Sequence, residues 1–152
     1  MLSINFDKKS LNAFYKYLKD LEDDVADFVR AEVEDSMLAI ETEAATNVRV
    51  GKQFGGALKQ SIQSTPIKVT KDQVTGGVEV GAFYAPYIEF GTGGGVVVPT
   101  ELKTFAMQFK GTTGRKRNFD ADPFFYPAVF KQRKELPKRI EKTLATLLKK
   151  RQ

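Results

Sequence analysis

Histidine and cysteine are both absent from the 152 residues, which removes the side chains that most often do chemistry near neutral pH. A Ser-His-Asp relay, an imidazole metal site, a thiolate nucleophile and a disulfide are all excluded. What remains for catalysis is carboxylate pairs, lysine, or serine with lysine, and no pairing of Asp or Glu stands sequestered among apolar neighbours. A carboxylate hydrolase would require such a pair. Glu89, beside Gly91 and Thr92, is read as a local partner for backbone N–H groups or a basic residue, with nothing nearby in sequence to raise its pKa. Two glycine-rich segments resemble phosphate or nucleic-acid loops without completing either pattern. Gly91-Thr92-Gly93-Gly94-Gly95 lacks the Lys-Ser/Thr ending and following helix that phosphate cradling needs. Gly111-Thr112-Thr113-Gly114 matches a GxxG loop, yet it precedes an irregular Phe119–Pro123 segment where a second helix should begin.

Aromatic clustering is the stronger signal. Of 12 Phe and 5 Tyr, Phe83, Tyr84, Tyr87, Phe90, Phe124, Phe125, Tyr126 and Phe130 fall in two short windows, 83–90 and 124–130. The first lies in Tyr84-Ala85-Pro86-Tyr87-Ile88-Glu89-Phe90-Gly91-Thr92, the second in Asp122-Pro123-Phe124-Phe125-Tyr126-Pro127-Ala128-Val129. Such rings either close the monomer core or stay exposed until another chain covers them. The expected interface residues are Tyr84, Tyr87, Ile88, Glu89, Phe90, Phe124 and Phe125, together with the basic Arg115, Lys116 and Arg117.

The elements that must position these residues follow from periodicity. From Asp7 to Asn47 there is no Gly or Pro, and apolar residues recur in steps of three and four from Leu11 to Ala44, the mark of one helical stripe. A helix over 10–47 would be about 57 Å long, so it must break or project. Asp7 or Ser10 is its candidate cap, and Asn47 and Gly51 its candidate stops. A short helix around Ala57–Ser61 leads into Ile62–Lys71, which pairs with Val74–Gly81 as an antiparallel hairpin. Pro86 suits the first turn of a helix over Tyr87–Phe90, and Gly91 ends it by taking positive φ. Val96–Pro99 reads as a short edge strand, and Pro99 opens a brief helix through Phe109. The last helix runs from about Phe125 to Lys149, with a kink at Pro137. The fold class is therefore α+β: a long N-terminal helix, a small antiparallel sheet with short helices, and a C-terminal helix packed on the sheet. One domain spans 1–152, made of an N-terminal helical arm (1–50), a sheet-containing core (51–124) with a mobile basic loop at 110–120, and the C-terminal helix (125–152).

No run approaches the ~20 apolar residues of a membrane span, and no export signal opens the chain, so the expectation is a cytoplasmic product without a membrane partner. The net charge of +5 hides a dipolar layout. Asp20–Glu43 holds ten acids and the single base Arg30, whereas Lys103–Gln152 holds fourteen bases and four acids. The two blocks can pack against each other or lie on opposite solvated faces. Alternatively the acidic helix of one subunit meets the basic surface of the next, or the basic half binds DNA.

Three blocks in order carry a family resemblance over roughly residues 44 to 130: Gly55-Gly56-Ala57-Leu58-Lys59-Gln60-Ser61-Ile62, Tyr84 to Thr92, and Asp122 to Ala128. The chain resembles the small tail-component family of long-tailed bacteriophages, which often has Arg where Asp122 stands. The resemblance implies a non-enzymatic virion protein of the neck or upper tail, serving tail completion, head–tail joining or a minor tail role. It implies assembly in the host cytoplasm, a homo-oligomeric ring, a hexamer at that location, and docking to connector or head-completion and tail-tube or tail-terminator proteins. It implies no cofactor, and DNA only in the lumen. A basic DNA-binding module contacting the genome at the neck is the alternative.

Overall fold

A computed structural model describes residues 24–49, 55–70, 73–93, 98–109 and 120–150. The element order is α1 (Asp24–Asn47), α2 (Gly55–Gln60), β1 (Ile62–Ser64), β2 (Lys68–Thr70), β3 (Gln73–Thr75), β4 (Val78–Val80), α3 (Ala85–Phe90), a 3₁₀ turn (Thr100–Leu102), α4 (Lys103–Met107) and α5 (Tyr126–Lys150). The expected start of the first helix, the basic loop carrying Arg115, Lys116 and Arg117, and residues 96–97 of the expected edge strand lie outside the described residues, while Val98 and Pro99 are described and form no strand.

α1 buries Val25, Val29, Val33, Met37, Ile40 and Ala44, the stripe that its three- and four-residue spacing requires. α5 answers with Ala128, Leu136, Ile140 and Leu144. The two helices run antiparallel, because Asn47 Nδ2 donates to the Phe124 carbonyl (3.1 Å), Lys131 to Glu43 (2.9 Å) and Arg139 to Glu32 (2.9 Å). Part of the acidic and basic blocks is thus matched within one chain. The sheet lies on α1 through β1, β3 and β4, and the main partner of α5 is α1. α5 therefore reaches the sheet chiefly by way of the helix that both share. It continues as α-helix through Pro137 to Lys150.

Polar atoms inside this helix pair are matched around one guanidinium. Arg139 donates to Glu32 Oε2 (2.9 Å), to Gln132 Oε1 (3.0 Å) and to Ser36 Oγ, and Ser36 and Gln132 are both buried. Removing the fork strands those oxygens away from water. Arg139→Met is expected to lower stability by about 1–3 kcal/mol, and Arg139→Lys, which keeps charge but not the planar fork, to recover only part of it. Urea titration of the three proteins checks the order.

The expected hairpin forms, but in two short ladders. β1 pairs with β4 (Ile62 with Val80, Ser64 with Val78), and β2 pairs with β3 (Lys68 with Thr75, Thr70 with Gln73). Between them residues 65–67 on one arm face only 76–77 on the other, so the register slips by one as in a β-bulge. Pro66 sits in the break, where it has no N–H to give a ladder. Thr65 holds the break closed: its N–H donates to the Gly77 carbonyl (2.8 Å) and its hydroxyl accepts the Gly77 N–H (3.0 Å). Glu41 of α1 braces the same corner by accepting from the Ser64 N–H (3.1 Å) and hydroxyl (2.6 Å). At Gly76 a Cβ would run into the Met37 sulfur and come within 3.3 Å of Ile67. Since Met37 is itself buried, Gly76→Ala should cost about 1–3 kcal/mol by crowding, measurable as a lowered melting temperature.

Candidate functional site

The two aromatic motifs, some thirty residues apart in sequence, meet at the start of α5. α3 begins with Pro86 in its first turn and ends at Gly91, whose φ of 65° is the positive value a side chain would disfavour. Glu89 on this short helix is 2% exposed. Its Oε2 accepts the N–H groups of Phe124 (2.8 Å) and Phe125 (2.9 Å), and its Oε1 accepts that of Tyr126 (3.1 Å). The Asp122 N–H adds a fourth link, donating to the Ile88 carbonyl at 2.8 Å.

This arrangement answers a need set by local structure. The first N–H groups of a helix have no partner inside it, and their partial positive charge favours an anion. Glu89 supplies both an acceptor and a negative charge from a separate element. Among the described residues no lysine or arginine forms an ion pair with it. Burial pushes its carboxyl above the ordinary 4.5, the Phe125, Phe124 and Tyr126 N–H groups oppose that rise, and the charge of Asp122 adds slightly to it. The sequence-based expectation of no upward influence is therefore corrected, because the cause is tertiary burial rather than a neighbour in sequence. Both oxygens are engaged by backbone, so the carboxylate ties two segments together.

Rings from both motifs form one connected set. Phe90 lies 5.6 Å from Tyr126, 5.9 Å from Phe105 and 6.3 Å from Phe109, centroid to centroid. Phe125 stands edge-on to Tyr126 at 5.7 Å, and Phe124 is 6.4 Å from Phe125. Edge and offset contacts of this kind stabilise a pair by about 0.5–1.5 kcal/mol beyond the area they bury. Phe90, Phe124 and Phe125 are buried in the chain's own core, Tyr84 and Ile88 are half-buried, and Glu89 is fully enclosed. Phe83 and Tyr87 face outward, 85% and 43% exposed, and so does Met107 of α4 at 62%. Tyr87 makes an edge contact with Phe109 at 5.3 Å, which joins the outward ring to the buried set.

α4 contributes more than its sequence announces. Phe105 of α4 and Phe109, in the turn just past its end, lie 5.1 Å apart and complete the ring cluster; their spacing of four flanking Met107 was the available signal. Asp122, where the family resemblance often has Arg, makes an exposed contact of 3.3 Å with Arg49. An ion pair so solvated adds little.

A family model described as "Bacteriophage HK97-gp10, putative tail-component" matches residues 12–91, more than half of the chain. The match takes in α1, the hairpin and α3 with Glu89, and stops before the Asp122–Ala128 motif that Glu89 holds. No curated protein and no solved structure matches.

Proposed function

The chain belongs to the HK97-gp10-like family of bacteriophage tail components, and from that membership we propose that it is a non-enzymatic assembly protein of the neck or upper tail. It acts by joining copies of itself into a ring, a hexamer in the virion, and by docking to connector or head-completion and tail-tube or tail-terminator proteins. The observation that carries this reading is the exposure of three large side chains, Phe83, Tyr87 and Met107, on segments that Glu89 and the buried rings tie together. Large apolar groups left in water on a small protein favour a covering partner. The interface assignment accordingly centres on Tyr84, Tyr87 and Ile88, with Phe83 added. Glu89, Phe90, Phe124 and Phe125 support that face from beneath, and Arg115, Lys116 and Arg117 are assigned to docking. The protein's place is the virion, with assembly in the host cytoplasm before it.

Sedimentation of the purified protein at two salt concentrations, with and without duplex DNA, tests the reading. A ring that forms without DNA, and shrinks toward monomer in Phe83→Ser/Tyr87→Ser, is the expected result. A monomer at every concentration, binding DNA in a salt-sensitive way, would overturn it.

A further inference from the structure

Pairing between α1 and α5 leaves on each helix an outward strip in which one sign predominates, with exposed Arg30 beside the acids of α1 and exposed Glu135 and Glu141 beside the lysines of α5. On α1 the face opposite the buried stripe carries Asp27, Glu34 and Asp35, all exposed, around Leu38, itself 61% exposed. On α5 the corresponding outward line is Lys134, Lys138 and Lys142, also exposed and four residues apart. None of these six charges belongs to an ion pair among the described residues, whose pairs are Arg49–Asp122, Lys131–Glu43, Arg133–Glu101 and Arg139–Glu32. Asp27 to Asp35 and Lys134 to Lys142 each cover about 12 Å of helix. Two strips of equal length and opposite predominant sign thus point away from the seam that joins their helices.

Resting on the assembly reading above, we propose that the outer face of α1 in one copy docks on the outer face of α5 in the next, head to tail. The acids and lysines set register, and Leu38 is the apolar group that the contact covers. A contact between different faces of identical subunits propagates, and it closes into a ring when the rotation fits. A second copy is favoured over nucleic acid because the same chain presents both signs, and the acidic strip has no use on a phosphate backbone. Complementary charge of this kind fixes orientation and rejects the reversed contact, in which lysines would face lysines.

Charge reversal tests the contact on the full chain. One variant carries Asp27→Lys, Glu34→Lys and Asp35→Lys, another Lys134→Glu, Lys138→Glu and Lys142→Glu, and a third carries all six. Each half-reversed variant should associate about 10- to 1,000-fold more weakly than wild type, since three exposed pairs become repulsions. Mixing the two half-reversed variants, or reversing all six positions in one chain, should restore wild-type size in sedimentation. Melting curves identify any misfolded variant, and the neutral set Lys134→Gln, Lys138→Gln and Lys142→Gln then gives the same reading without repulsion, as a smaller loss of association. Half-reversed variants that assemble like wild type would overturn the strip contact while leaving assembly intact, and so would loss of duplex DNA binding in the lysine variant with its size unchanged. A monomeric wild type would instead remove the assembly reading and this inference together.

Discussion

Replacing Glu89 with alanine should lower the unfolding free energy by about 3–5 kcal/mol, because three backbone donors at the head of α5 lose their acceptor inside the protein. Glu89→Gln keeps one acceptor oxygen but turns an amide N–H₂ toward a site that offers only donors, and should lose about 1–3 kcal/mol. Both variants also relieve the burial penalty that raises the carboxyl's pKa. The loss observed is therefore the value of the acceptor less that relief. The sign of the pH dependence follows from the same shift. With its folded pKa above the unfolded value, Glu89 binds its proton more tightly in the native state, so its contribution is full below the ordinary 4.5 and declines as pH rises through the folded value. The stability gap between wild type and Glu89→Gln should accordingly be widest at the acid end and narrow as pH increases. Urea unfolding of both proteins at several pH values between about 4 and 8 reads this directly.

Phe125→Ala should be equally damaging, at about 3–5 kcal/mol, since the ring is fully buried between Phe124 and Tyr126 at the junction of both motifs. A loss of that size approaches the whole stability of many domains. Phe125→Leu keeps most of the volume and should lose much less. Phe83→Ala provides the contrast: with 85% of that residue in water, its effect on monomer unfolding should stay within about 0.5 kcal/mol, although association falls. Thermal melts of the three variants beside their sedimentation profiles separate a ring that holds the fold from one that serves a partner.

Local punctuation made the short elements legible. Gly91 ends α3 where expected and Pro86 lies in its first turn, although the helix begins at Ala85, two residues ahead of the expected Tyr87, and Asn47 closes α1. Periodicity located the stripes of α1 and α5, because an amphipathic helix repeats its apolar residues wherever it packs. Pro66 also carried the information that the hairpin breaks, although the run from Ile62 to Lys71 reads as continuous when alternation alone is followed. What sequence could not supply was long-range pairing. That Glu89 should meet backbone N–H groups was readable from its setting, but not that those groups begin a helix 35 residues onward. Arg139 reaches Ser36 across 103 residues, and no local pattern records such a meeting. The sharing of α1 by the sheet and α5 was likewise invisible, since a stripe shows that a face is buried and not what buries it.

Deleting the coding sequence from the phage genome that carries it, and imaging the resulting particles by electron microscopy with infectivity counted in parallel, tests the central claim most directly. The account predicts DNA-filled heads and tails that remain separate, with infectivity lost and then restored when the wild-type chain is supplied in trans. Intact tailed particles of normal infectivity would contradict it.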